Sequence, residues 1–169
     1  MTIRLEPFGE RHLVAVEAML DDPDVLRFTR IPEPVPPGFA RSWLERYEEG
    51  RHAGNREAFA VVDEAGEFLG IAMAPGIDHE TATAELGYVV APAVRGRGVA
   101  SEALRQLTEW AFGQLRIIRL ELLISVDNPA SMKVAERCGY IREGVLRSSF
   151  VKPGRREDTE IWSRLATDP

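Results

Sequence analysis

Apolar and polar residues alternate over residues 3–6 ahead of Pro7, the pattern of a short strand with one buried face. Leu13, Val16 and Leu20 then recur at spacings of three and four, which puts them on one helical face until Asp21-Asp22-Pro23 ends the run. A second stripe of Phe39, Trp43, Leu44 and Tyr47 predicts a helix over about residues 39–51 that packs its aromatic face on a sheet. Between these helices, Pro32, Pro34, Pro36 and Pro37 remove backbone donors, so residues 30–38 read as an exposed, semi-stiff connection able to wall a site. Residues 58–63 and 67–73 flank Glu64-Ala65-Gly66 and read as a hairpin, followed by a loop over 74–83 and a strand over 84–90.

The second half repeats the alternation of strand and helix. Ala100, Leu104, Leu107 and Ala111 give a helix starting near Gly98, and residues 120–126 give a strand. In the next helix Asn128 is placed as N-cap, Pro129 as first helical residue and Gly139 as a left-handed stop. Ser131, Val134, Ala135 and Cys138 share its inward face, so the Ser131 hydroxyl points at the strand ends. Residues 141–150 and 157–165 around Pro153-Gly154 predict a closing hairpin.

Composition narrows the class. A chain of 169 residues, 44% hydrophobic and 28% charged, fits a single domain over residues 1–169 with a proper core. Lys plus Arg number 21 against 27 Asp plus Glu, a net charge of -6, which argues against a general nucleic-acid binder and suits a cationic small partner. The single cysteine, Cys138, excludes an internal disulfide and a Cys-rich zinc site, and reads as a small buried apolar residue. His12, His52 and His79 show no metal spacing and are assigned to the surface. Charges at Arg4 and Glu6 break any signal-peptide core, and no apolar run reaches membrane-spanning length, so a cytoplasmic protein without membrane contact is expected.

Between the strand over 84–90 and the helix after it lies Arg95-Gly96-Arg97-Gly98-Val99-Ala100. Two glycines let the backbone turn tightly and let a ligand come close to it. Two guanidinium groups and the free N–H groups of a helix start favour the same ligand, a phosphate or pyrophosphate. A solvated turn is the competing reading for a lone G-x-G.

Taken with Asn128, Ser131, Gly139 and Tyr140, this loop resembles the GCN5-related N-acetyltransferases, the GNAT superfamily, most closely the branch that acetylates ribosomal-protein N-termini. Arg95, Gly98 and Ala100 match the family's Q/R-x-x-G-x-G/A pattern, and Asn128, Ser131, Gly139 and Tyr140 match its N-x-x-S…G-F/Y pattern. The resemblance implies an α/β fold: a mixed, centrally splayed β-sheet flanked by about four helices, with acetyl-coenzyme A entering the splay. It implies that residues Arg95 to Ser101, including Val99 and Ala100, hold the pyrophosphate. It also implies that the backbone of Tyr88, Val89 and Val90 pairs with the pantetheine arm and aims an N–H at the thioester carbonyl oxygen. Asn128 would position the pantetheine or a water. The implied partners are an amine-bearing acceptor, small molecule or protein N-terminus, and a second copy of the chain in a homodimer through edge strands.

The chemistry left over is one proton taken from an ammonium and one given to a thiolate. Glu85, at the head of the central strand, is the candidate base or substrate binder, against the plainer reading of a strand-end carboxylate. Many relatives place a tyrosine acid where this chain has Ala135, which shifts that role to Ser131 or water, with a helix-start hydroxyl as the plainer reading of Ser131. In the closing hairpin Phe150, Arg155 and Trp162 are candidates to touch substrate. Two other classes compete with an acetyltransferase. One is a catalytically silent coenzyme A-binding module. The other is a dinucleotide-dependent oxidoreductase, for which Ser101 stands where a third glycine belongs.

Overall fold

The computed structural model describes residues 2–169. Seven strands form one sheet: β1 (Ile3–Pro7), β2 (Glu57–Asp63), β3 (Phe68–Asp78), β4 (Thr83–Val90), β5 (Arg119–Ser125), β6 (Ile141–Lys152) and β7 (Arg155–Leu165), in the order β1-β2-β3-β4-β5-β7-β6. Every neighbouring pair is antiparallel except β4 with β5. That parallel pairing covers only Thr83, Ala84 and Glu85 against Arg119, Leu120 and Glu121. Beyond it β4 keeps to β3 and β5 keeps to β7, so the sheet opens into a V. The mixed, centrally splayed sheet expected from the sequence is therefore present.

Five helices flank it among the described residues: α1 (Leu13–Met19), α2 (Pro23–Phe28), α3 (Phe39–Ala53), α4 (Val99–Gln114) and α5 (Pro129–Arg137). On one face α4 and α5 bury Leu104, Leu107, Ala135 and Cys138 against Ala84, Leu86, Leu120 and Leu122. On the other, α1 and α3 bury Val16, Trp43, Leu44 and Tyr47 against Phe8, Ala58 and Ile71. Leu104 and Leu107 are wholly buried. Each such side chain contributes roughly 1.5–3 kcal/mol of burial free energy, more than a helix cap typically does. Packing of its middle turns thus fixes where α4 begins, and with it the position of the glycine loop.

The structure departs from the sequence expectations in several places. A fifth helix, α2, starts where a helix end was expected: Asp22 caps it by accepting from Val25 N at 2.9 Å, and Pro23 occupies its first turn. Residues 74–78 continue β3 rather than forming a loop, because a register shift between Met73 and Gly76 absorbs Pro75 and returns Ile77 to the core. His12 is 5% exposed instead of lying on the surface, with Nε2 2.9 Å from Glu6 Oε1 and Nδ1 accepting from Gly9 N. Val99 rather than Ala100 leads the buried face of α4, Ala100 being half-buried.

Candidate active site

The V between β4 and β5 holds a cavity of about 1080 Å³. Its walls are the outer half of β4, the β5 strand end, the first turns of α4 and α5, and part of α2 and α3. Tyr88, Val89 and Val90 line it where β4 has left β5. Residues 30, 31 and 39 from the proline-rich connection and the start of α3 close one side, as that segment's composition suggested.

The glycine loop sits at the mouth. Gly98 adopts φ +83°, a left-handed conformation that favours glycine, and no side chain caps the helix that follows. An added Cβ at Gly96 or Gly98 would meet open space, so the backbone can be approached there by a ligand. Val99, Ala100 and Ser101 supply the first N–H groups of α4, and with Arg95, Gly96 and Gly98 they line the cavity. Arg97 does not: it is exposed and outside the lining. Arg95 is also engaged, its guanidinium 2.7 Å from Asp22 and 3.5 Å from Asp24, and the bond from Arg95 holds the Asp22 carboxyl below its ordinary range. That pairing braces the loop against α2.

Across the V, Asn128 is the N-cap of α5, its Oδ1 accepting from Ser131 N at 3.1 Å. Its amide oxygen is therefore occupied by the helix start. The Ser131 hydroxyl lies 2.8 Å from the Tyr88 hydroxyl, a contact that joins α5 to β4 over the cavity. Burial pushes the Tyr88 phenol up to about 12, opposed by its bond with Ser131. The Tyr88 side chain thus stands at the site beside Ser131, a pairing not visible in the sequence because the two residues are 43 positions apart.

Glu85 lines the cavity at the end of the paired segment, and its Oε1 is 2.9 Å from Arg30. Around it stand Arg46, Tyr47 and Arg56. None of these cations was singled out from the sequence, since they come from a loop, a helix flank and a strand approach that only the fold brings together. The aromatic stripe of α3 packs as expected and does more: Phe39, Trp43 and Tyr47 pack in the core and also line the cavity. Of the hairpin candidates, Phe150 lines the cavity, whereas Trp162 is buried and donates to Glu160 at 2.9 Å. Arg155 binds the Arg27 carbonyl at 3.2 Å instead of facing the site. Cys138 is buried, its thiol pushed up by burial and donating to Ser101 O. Among the described residues no cluster of His, Cys, Asp or Glu could hold a metal.

A family profile described as acetyltransferase (GNAT) domain matches residues 2–141. The chain belongs to this GNAT family. The N-acetyltransferase class expected from the loop and the α5 motif, with acetyl-coenzyme A as co-substrate, stands on that membership, and the oxidoreductase and silent-module readings are not favoured. Among GNAT relatives, the ribosomal-protein-serine acetyltransferase of Escherichia coli is 30% identical over 66% of this chain and 62% of its own length. The spermidine N(1)-acetyltransferase of Vibrio cholerae is 27% identical over 69% of this chain and 67% of its own. In structure, a ribosomal-protein alpha-N-acetyltransferase in complex with coenzyme A superposes with a TM-score of 0.89 at 21% identity, covering 98% of this chain and 94% of the other. The fold is thus shared from end to end.

Proposed function

We propose that the protein acetylates a primary amine that reaches the V from the Glu85 side, while the coenzyme occupies the V with its pyrophosphate on the glycine loop. The observation that carries this reading is the early end of the β4–β5 pairing, which leaves one edge of residues 86–90 facing a cavity that begins at an uncapped helix N-terminus. The cavity volume and the N–H groups of Val99, Ala100 and Ser101 at the uncapped start of α4 suit a pyrophosphate with a pantetheine arm.

The coenzyme supplies an activated thioester. The chain's own residues then have three tasks. A β4 backbone N–H between Tyr88 and Val90 would stabilise the charge that develops on the carbonyl oxygen. Glu85 takes the amine's proton, directly or through water, once the ammonium displaces Arg30. Ser131, with Tyr88 behind it, meets the departing sulfur. The new N–C bond replaces the C–S bond, and the ammonium gives up two protons on the way to the amide, one released to solvent through Glu85 and one that ends on the thiol. Asn128 serves by setting the start of α5 rather than by touching the reaction. The reading extends to a single domain in the cytoplasm, with a homodimer through edge strand β1 or β6 as its oligomeric form. For the described chain, no helix is long and apolar enough to cross a membrane.

Binding and turnover test different parts of this. Acetyl-coenzyme A should raise the melting temperature of the wild type and of Glu85→Gln, and should fail to raise that of Gly98→Glu, which puts a charge and a strained side chain into the cradle. Glu85→Gln should lower kcat/KM for an amine by about 10²-fold at neutral pH. Stabilisation by NAD but not by acetyl-coenzyme A would overturn the assignment.

A further inference from the structure

At the Glu85 end the cavity wall is cationic, in contrast to the acidic molecule as a whole. Arg30, Arg46 and Arg56 line it, and Glu85 is the carboxylate among them. Arg30 uses that carboxylate, at 2.9 Å. Arg46 and Arg56 have no carboxylate within ion-pair distance among the described residues. Arg46, Arg56 and Glu85 act on one phenol: burial pushes Tyr47 up to about 12, while the charges of Arg46 and Arg56 and a bond with Trp43 pull it down and the charge of Glu85 adds to the rise.

Arg56 is held rather than free. Its stem lies against α3 where Gly50 leaves room, so closely that a Cβ on Gly50 would stand 2.5 Å from Arg56 Cβ. Its Nε donates to the Pro75 carbonyl at 3.1 Å. One guanidinium nitrogen is thereby tied to the bulge in β3, and the two terminal nitrogens are presented in a fixed plane. A fixed fork of this kind matches a carboxylate or a phosphate.

Building on the acetyltransferase reading, we propose that the acceptor is a small amine that carries its own anionic group, a carboxylate or a phosphate, close to the nitrogen. Its ammonium takes the place of Arg30 on Glu85, and Arg30, Arg46 and Arg56 receive the anion. One ion pair is broken and at least two are made. A polyamine in the same place competes with Arg30 for one carboxylate and sets further positive charge against two unpaired arginines. Loss of the ammonium proton through Glu85, formation of the amide N–C bond and cleavage of C–S proceed as above, with the anionic group unchanged.

The test is free-thiol release by the full chain with acetyl-coenzyme A and matched amines: β-alanine against ethylamine, phosphoethanolamine against ethanolamine, then spermidine and a peptide with a neutral N-terminal residue. The expected result is a kcat/KM for at least one anion-bearing amine that exceeds its neutral partner by on the order of tenfold or more. Which pair shows the larger ratio identifies carboxylate or phosphate. Arg46→Gln and Arg56→Gln should bring that ratio towards one, mainly through KM, and Arg46→Lys should restore part of it. Arg46 is exposed, so its variants decide the matter even if Arg56→Gln fails to fold. Equal or better turnover of spermidine, the neutral peptide or the neutral amines overturns this inference and leaves the acetyltransferase reading standing, as does a ratio that neither glutamine variant moves. Absence of turnover with every amine overturns both.

Discussion

Tyr88 and Ser131 show what a single hydroxyl pair can do in place of the tyrosine expected at the Ala135 position. The Tyr88 phenol is raised to about 12, so it stays protonated throughout the physiological range and its hydrogen is available as a donor. A coenzyme thiolate has an ordinary thiol pKa of about 8.5, so full transfer from such a phenol runs uphill by several units. In the proposed reaction the pair would therefore hydrogen-bond the departing sulfur rather than protonate it, leaving the proton to water. Ser131→Ala and Tyr88→Phe should each lower kcat by roughly tenfold, the worth of one charge-assisted hydrogen bond, with coenzyme affinity unchanged. A loss beyond about 10²-fold, accompanied by a new limb in the pH–rate profile, would mean that proton transfer itself passes through these residues. Local chemistry of this kind was partly legible. Asn128 could be read as a cap because its partner is three residues away, whereas the Arg30–Glu85 pair depends on a loop folding over a strand 55 positions later.

Secondary-structure elements were readable where their ends carry signals. Gly98 before α4 and Asn128-Pro129 at α5 marked both helix starts, and the turn at residues 64–66 marked the β2–β3 hairpin. The junction at residues 21–23 misled because Asp22-Pro23 serves two elements at once: α1 has ended and α2 is capped by the same aspartate. That short helix matters to the site. Its residues tie the first third of the chain to the closing hairpin and to the β5–α5 turn: Arg27 pairs with Asp127 at 3.1 Å, and the buried Lys152 ammonium bonds the Leu26 carbonyl and stands 3.3 Å from Glu33. β3 was cut short for the opposite reason. Pro75 reads as a strand end in isolation, but the bulge it occupies lets its carbonyl hold Arg56. The V itself could not be seen in either β4 or β5, since it is a property of where their pairing stops.

For the molecule as a whole, a charge of -6 pointed to a cationic partner, yet the distribution of that charge points the other way at the site, where three arginines meet one glutamate. Much of the acidity is used structurally. At the foot of the V, Arg119 bridges Glu121 at 2.7 Å and Glu143 at 2.6 Å, linking β5 to the outer strand β6. Bonds from Arg119 and from Ser163 hold the Glu143 carboxyl down at about 2, below its usual 4.5. A depressed carboxylate stabilises the fold fully above its unfolded pKa and loses that contribution as pH falls through its folded pKa. Stability from this group should therefore be constant above about pH 5 and fall between about 4.5 and 2, with Glu143→Gln flattening that part of a denaturant-midpoint titration. Because Glu143 is 40% exposed, solvent screening limits the amount to about 1 kcal/mol or less.

The parallel seam of only three residue pairs between β4 and β5 has a consequence for how long the protein survives. Strands β1 to β4 form one antiparallel block in chain order and β5, β7 and β6 form another, so under the proposed function a coenzyme arm in the V would take the place of an absent strand between them. A sheet completed by a metabolite is opened by its scarcity. Resistance to a protease that cleaves the opened form should rise with free coenzyme concentration as RT ln(1 + [L]/Kd). Digestion rates that ignore coenzyme concentration would show that the two blocks hold together unaided. The lifetime of this chain would otherwise follow the supply of the compound it consumes.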